Sequence, residues 1–274
     1  MLKVYGGKAL LASFEIGNFV WEPNRYVVCF NILFDRGAQY EHSILASISK
    51  IFSDRGVPIL SIKTTVSIRE NANRLTLFAD FSQRRNLIRE VENSIRSLNR
   101  VKDVKVIEPL FNGITVDTTY AYLTFAGERA VIFRKPLFEG LIKGIREKFG
   151  ETGKTFLYHI GFILGQRASV NQSKIVRKAR GGVKETILLA EEIFKQIGFG
   201  ILKVSNLDML NRRAIIVIHD SFECELFKGS KKPESHFIRG LIAGFLTPLF
   251  GIKVSAFEAK CIAKGDPYCL FLIR

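Results

Sequence analysis

The sequence predicts an α+β protein built from two modules, and three observations carry that expectation. Over 26–108, β-branched and aromatic runs alternate with helical periodicities in the order strand–helix–strand–strand–helix–strand. The turn-forming stretch Glu108-Pro109-Leu110-Phe111-Asn112-Gly113 then interrupts the pattern, and strand and helix signals restart beyond it. The C-terminal end carries two apolar runs on either side of Gly265-Asp266-Pro267, which reads as a β-hairpin. The expected organisation is an N-terminal extension (1–25), a first module (26–108) and a second module (109–274).

Residues 1–24 are weakly patterned and end in the turn Trp21-Glu22-Pro23-Asn24. The run YVVCFNILF, 26–34, is a buried strand with Cys29 in its core, and Asp35-Arg36-Gly37 breaks it. Over 40–52, Ile44, Leu45, Ile48, Ile51 and Phe52 recur on one helical face, and Gly56 stands near the C-cap. Strands over 59–66 and 75–81 are joined by a turn at 70–73. Leu87, Ile88, Val91, Ile95 and Leu98 mark a second helix, and 101–107 a last strand. This order is the split-βαβ, ferredoxin-like arrangement. Asp35-Arg36-Gly37 and Gly56-Val57-Pro58-Ile59 make the module similar to the ACT domain, a regulatory fold. The resemblance implies either an effector site at Asp35, Arg36, Gly37 and Gly56 or a packing module without ligand.

In the second module, 119–125 is extended. Phe138, Leu141, Ile142 and Ile145 form a helical face that Gly150 and Gly153 end. The apolar helix 156–165 contains Gly161 and Gly165, each costing about 1 kcal/mol relative to alanine. They mark the close approach of another helix or of a ligand. The segment 166–184 carries Arg167, Lys174, Arg177, Lys178, Arg180 and Lys184, with no acidic residue between Glu151 and Glu185. It reads as a basic loop, or as the lead into a helix over 185–197, and is the best local candidate for phosphate contacts. Strands follow at 198–207 and 214–219. The adjacent His219, Asp220 and Ser221 do not make a catalytic triad, because neighbours on a strand point to opposite faces. Residues 234–250 form an apolar helix bearing the small residues Gly240, Ala243 and Gly244.

The hairpin strands bring Cys261 and Cys269 to the turn end, with Glu258 three residues before the first cysteine. Two thiolates and a carboxylate are three potential zinc ligands, or the cysteines are small core residues. The run E-A-K-C-I-A-K-G-D-P-Y-C-L-F resembles the end of the 4-vinyl reductase domain family. The resemblance extends through D-S-F-E at 220–223, F-I-R-G-L-I-A-G-F at 237–245 and Y-H-I-G-F-I-L-G at 158–165, and so over about residues 110–274. It implies a fold like Bet3-type subunits of vesicle-tethering TRAPP complexes, a homodimer, and a small apolar ligand held between helices and sheet. The ligand-contacting positions would be Tyr158, Gly161, Phe162, Gly165, Phe222, Phe237, Gly240, Leu241 and Gly244. It also implies one structural zinc on Glu258, Cys261 and Cys269. Where the family carries a further cysteine, this chain has Ser235 beside His236. Either His236 is the fourth ligand or the site is without metal.

The apolar fraction of 47% supports sizeable cores, no continuous apolar run reaches membrane-spanning length, and the N-terminus does not read as a signal peptide. The four cysteines do not make a disulfide framework, so a cytoplasmic protein is expected. A net charge of +15 draws polyanions or is a solvated basic surface. No glycine-rich phosphate loop, nucleophile elbow, carboxylate pair or nicotinamide or flavin fingerprint is present, so the chain does not read as an enzyme despite the family's name. The expected function is ligand-sensing regulation through a dimer, acting on transcription or a partner protein. The alternatives are a nucleic-acid-binding regulator using the segment 167–184, and a TRAPP-like protein-interaction scaffold.

Overall fold

A computed structural model describes residues 15–35, 37–38, 43–67 and 72–274. The chain is α+β and folds as two units, Met1–Val131 and Ile132–Arg274. The division falls beyond the 108–113 linker expected from turn residues. Strand β1 (Phe19–Trp21) pairs antiparallel with β6 (Ile114–Val116), so residues on both sides of the expected boundaries, 25 and 109, are tied into the first unit.

In that unit, β2 (Val27–Phe34), α1 (Ile44–Ser53), β3 (Ile59–Ser67), β4 (Ala72–Asp80), α2 (Ile88–Arg96) and β5 (Val101–Ile107) follow the expected element order. The sheet order is β3-β4-β2-β5, all antiparallel. The alternation in β2 explains the layers. Val28, Phe30, Ile32 and Phe34 face α1 and α2, where Phe30 packs edge-on to Phe52 at 5.4 Å. Val27, Cys29 and Asn31 face the other way. There Val27 and Cys29 join Phe78 under Val20 and Ile107. Asn31 Nδ2 donates to Asp117 Oδ2 at 3.0 Å, and Thr76 Oγ1 donates to the same oxygen at 2.9 Å. Thr115 Oγ1 donates to the Val27 carbonyl at 2.6 Å, which holds β6 over the sheet.

Of the four proposed effector residues, Arg36 lies outside the described residues. Asp35 pairs with Lys102 at 2.6 Å. Gly56 closes the C-terminal end of α1 at φ +58° and receives the Arg84 guanidinium on its carbonyl. Gly37 is at φ +98° with open space beside it.

A short hairpin, β7 (Leu123–Phe125) and β8 (Glu128–Ala130), completes the first unit. The second unit opens with α3 (Lys135–Lys178), which is broken at Gly150 (φ 56°, ψ −129°) into two limbs. The expected glycine stop is therefore a corner, after which the helix resumes. Gly153 packs against the Ile145 carbonyl, eight residues earlier, so the limbs fold back on each other. The second limb runs to Lys178, which makes the expected basic loop helical. Its buried face is Ser169, Gln172 and Val176, mostly polar residues that a hydrophobic period overlooks. The turn at Arg180 (φ 61°) leads into α4 (Val183–Gln196). Next come β9 (Ile201–Asp208), β10 (Arg213–His219), the single turn α5 (Phe222–Glu225), α6 (His236–Phe250), β11 (Ala256–Lys260) and β12 (Cys269–Ile273). The antiparallel sheet order is β11-β12-β10-β9.

Helices α3 and α6 cross backbone to backbone. A Cβ at Gly161 would overlap the Phe237 carbonyl, and one at Gly165 the Leu241 carbonyl. From the other side, Gly240 meets the Tyr158 carbonyl and Gly244 the Phe162 carbonyl. These four glycines therefore serve helix packing, where they were expected to touch ligand. Gly244→Ala will destabilise the chain by about 1–3 kcal/mol through overpacking. Gly144→Ala, on α3 with nothing within 4 Å of the added Cβ, will be neutral or stabilising by up to about 1 kcal/mol. Denaturant unfolding of the two variants checks the contrast.

Candidate functional site

Two features adjoin α6. One is an apolar cavity of about 290 Å³. The second limb of α3 contributes Leu164, Ala168 and Gln172 to it, and α4 contributes Ile187, Ala190, Ile193 and Phe194. Helix α6 supplies Phe237, Leu241, Ile242, Phe245 and Leu246, while Leu202, Val204 and Ile216 form a floor on the sheet. No titratable side chain lines it. Its existence follows from the glycine crossing: backbones in contact on one side of α6 leave the large side chains of that helix to splay toward α4.

Of the residues expected to touch a ligand, Phe237 and Leu241 line this cavity. Tyr158 and Phe162 lie on the α3 face that meets α6, with the Arg239 guanidinium 5.2 Å from the Tyr158 ring. Burial pushes the Tyr158 phenol up. Phe222 belongs to an aromatic cluster, edge-on to Phe138 at 4.4 Å and stacked on Phe199 at 4.6 Å. It lines a separate cavity of about 260 Å³. Ile187, Ile193 and Phe194 went unrecognised in the sequence because nothing in the period of α4 tells a core-facing residue from a cavity-facing one.

The other feature is a buried cluster of three thiols and a carboxylate. The donor atoms of Cys224, Glu258, Cys261 and Cys269 all lie within 4.8 Å of one another. Cys261 Sγ is 3.4 Å from Cys224 Sγ, and Cys224 Sγ is 3.8 Å from Glu258 Oε1. Four ligands at zinc–sulfur distances of about 2.3 Å would stand roughly 3.8 Å apart, so the spacing fits a tetrahedral ion. The structure thus brings together Glu258, Cys261 and Cys269 and adds Cys224.

His236 does not belong to the cluster. Its Nε2 lies 3.6 Å from Glu234 Oε2, away from the thiols. The residue that faces the cluster is Ser235: its N–H donates to Glu258 Oε2 at 3.1 Å and its Oγ to Glu258 Oε1 at 2.8 Å. Successive residues at a helix start are turned roughly 100° apart, so Ser235 and His236 cannot both point inward. Cys224 carried one sequence signal: it was the cysteine left unassigned once Cys29 was placed in a strand and Cys261 with Cys269 in the hairpin.

The surroundings hold the donors in place. Cys261 N–H donates to Asp266 Oδ2 at 2.8 Å, and Cys269 Sγ accepts the Ile262 N–H at 3.5 Å. Glu223, beside Cys224, accepts the Phe237 and Ile238 N–H groups at 2.9 and 2.8 Å and so caps α6. Burial raises the Glu223 carboxyl to about 8. The Glu258 carboxyl is also raised to about 8, by burial first and then by the neighbouring Cys261. Hydrogen bonds from Cys224 and Cys261 hold the Cys269 thiol down at about 4, whereas Cys224 is pushed up. The cluster favours one thiolate stabilised by its neighbours, and these residues can hold a metal ion.

The predicted nucleic-acid residues are all exposed. Arg167, Lys174, Arg177 and Lys178 stand on α3, Arg180 in the turn and Lys184 at the start of α4.

His236 is half-buried, and desolvation, followed by the Arg239 and Arg146 charges, lowers its imidazole to about 4. An unfolded histidine titrates near 6.5. The neutral form is the folded one, so this stability is complete above about pH 6.5 and is lost as pH falls toward 4. The loss is on the order of 3 kcal/mol. Denaturant midpoints measured from pH 7.5 to 4 will fall more steeply for the natural chain than for His236→Gln.

A sequence model of the V4R domain, the 4-vinyl-reductase type, matches residues 214–274. That segment holds β10, α5, α6 and the closing hairpin, with all four donors of the thiol–carboxylate cluster. The chain is 37% identical over 83 residues to uncharacterized protein MJ0150 of Methanocaldococcus jannaschii, a match covering 30% of this chain and 47% of that protein. It is 27% identical over 131 residues to MJ1460 of the same organism, covering 47% of this chain and 72% of that one. The match to MJ0150 thus spans about half that protein's length. Among solved structures, the phenol-responsive sensory domain of the transcription activator PoxR superposes with a TM-score of 0.49 at 18% identity, covering 54% of this chain and 78% of that one.

Proposed function

We propose that this chain is a ligand-sensing regulatory protein whose C-terminal unit binds one apolar small molecule in the cavity between α3, α4, α6 and the sheet. The observation that carries the reading is the cavity itself: about 290 Å³, large enough for a bicyclic aromatic, walled by aliphatic and aromatic side chains. Its walls carry no acid, base or nucleophile, which supports binding over catalysis.

The thiol–carboxylate cluster holds one zinc ion in this reading. Cys224, Cys261 and Cys269 are fully buried and Glu258 is 5% exposed, so four protein donors close the site and leave no position for a reacting water. The ion would staple the hairpin to α5. Through Glu223, next to Cys224, it would also fix the start of α6 and hence one wall of the cavity. Thiolates favour zinc over magnesium or calcium.

The protein acts as a cytoplasmic homodimer. The second limb of α3 exposes Phe156, Ile163 and Val170 at seven-residue intervals, a seam that a second copy covers. The first unit is an ACT-like, ferredoxin-like module, supported by its βαββαβ order and its β3-β4-β2-β5 sheet. Ligand occupancy shifts the dimer between states that bind it with different affinity, and the readout is transcription or a partner protein.

One native mass spectrum of purified protein, taken without chelator, tests metal, ligand and oligomer together. The expected species is a dimer with one zinc per chain and a co-purified small molecule. Cys224→Ser will lose the zinc and melt lower. Less than a tenth of an equivalent of zinc, at unchanged stability, would overturn the metal assignment. Monomer alone at micromolar concentration would overturn the dimer.

A second reading, nucleic-acid binding, has its own support: Arg167, Lys174 and Lys178 recur along one side of α3, and Arg177, Arg180 and Lys184 gather at the turn into α4. Replacing Arg177, Lys178 and Arg180 with Gln will weaken duplex binding and flatten its salt dependence. Binding unchanged in that variant removes this surface from consideration.

A further inference from the structure

We propose that the second cavity, of about 260 Å³, binds a small monoamine, an aromatic or branched apolar body carrying one ammonium. The proposal does not rest on the apolar-ligand reading of the first cavity. Of the residues that line the two spaces, Ile197 and Phe199 are shared.

The floor of this second space is aromatic. Phe199 sits between Gly198 (φ 81°) and Gly200 (φ 125°), where α4 turns into β9, and its carbonyl accepts the Phe222 N–H at 3.3 Å. That bond brings the turn against α5. The Phe199 ring stacks on Phe222 at 4.6 Å, and Phe138, from the first limb of α3, meets Phe222 edge-on at 4.4 Å. The rim is charged and open to water: the side chains of Lys135, Glu139 and Glu225 are 63%, 39% and 45% exposed.

In a chain of net charge +15, this rim carries two carboxylates to one ammonium. That ammonium is already engaged. Lys135 Nζ lies 3.5 Å from Glu225 Oε1, and Glu139 is held below the usual carboxylate range by Lys143 first and then by Lys135. A ligand carboxylate would meet two anions and a cation already shared between them. A neutral ligand would strip water from the rim and return nothing for it. An ammonium pairs with the carboxylates, the ring faces attract it, and the floor takes the apolar body. The first cavity excludes such a ligand, because no titratable side chain lines it to supply a counter-charge.

The probes are 2-phenylethylamine, the amino acid phenylalanine and 3-phenylpropionate. They share a ring and a two-carbon arm, and carry an ammonium, both charges and a carboxylate. Their affinities for the full chain are measured by calorimetry at low salt. The amine is expected to bind at least about fivefold more tightly than either of the others. Glu225→Gln is expected to weaken the amine about fivefold, whereas Lys135→Gln, which frees both carboxylates, is expected to tighten it by about two- to fivefold. Both substitutions are on exposed side chains and are expected to leave the melting temperature unchanged. Each breaks the same surface ion pair, so a role confined to that pair predicts shifts of one sign, and opposite signs identify the amine site. Tighter binding of phenylalanine or 3-phenylpropionate, an affinity for the amine that both substitutions leave alone or move the same way, or no binding of the amine at millimolar concentration overturns the proposal. Each of these results leaves the reading of the first cavity standing.

Discussion

Two helices in contact along their backbones fix the rest of the C-terminal unit. Four glycines, Gly161 and Gly165 on α3 and Gly240 and Gly244 on α6, each place a carbonyl of the opposite helix where a Cβ would stand. A glycine in a helix loses about 1 kcal/mol of intrinsic stability. Four of them are kept because no other residue permits this separation. With the helices so close, the bulky side chains of α6 must leave the crossing on its far side. Phe237, Leu241 and Phe245 do so, and the space among them and α4 is the cavity. Helix packing and the binding space are thus two faces of one constraint.

The start of α6 is held by a different kind of interaction. Buried Glu223 accepts its first N–H groups, and the next residue, Cys224, enters the thiol–carboxylate cluster with the hairpin. Local backbone capping and long-range donor geometry meet in two adjacent residues of one helical turn. The ionisable groups assembled there resist charge unevenly: burial raises both carboxyls, and hydrogen bonds among the thiols favour ionisation at Cys269 and oppose it at Cys224. A divalent ion satisfies all four donors at once, which a proton distribution cannot do.

Where sequence and structure agree, the signal was local. The βαββαβ order could be read from alternation and amphipathic period. The closing hairpin could be read from Gly265-Asp266-Pro267, with Gly265 in the left-handed conformation at φ 95°. Where they part, the signal was non-local or carried by polar residues. Three-residue strands such as β1 and β6 have no period of their own and exist through each other. The basic stretch of α3 concealed a helix because Ser169 and Gln172 form much of its buried face. The cluster showed three of its donors, since those share one hairpin. It hid Cys224, 37 residues before Cys261, and suggested His236, whose neighbour Ser235 takes the inward direction.

The walls of the cavity differ in how freely they can change. Those from α3 and α6 are set by backbone contact, and the sheet floor is set by its ladder. The wall from α4 consists of side chains alone: Ile187, Ala190, Ile193 and Phe194. Substitutions that trade volume on α4 can enlarge, shrink or reshape the space while the crossing stays intact, whereas changes at the four glycines are paid in folding. Divergence toward new ligands under the proposed reading is therefore channelled through one helix, and the evolvability of the site and the robustness of the fold reside in separate sets of residues.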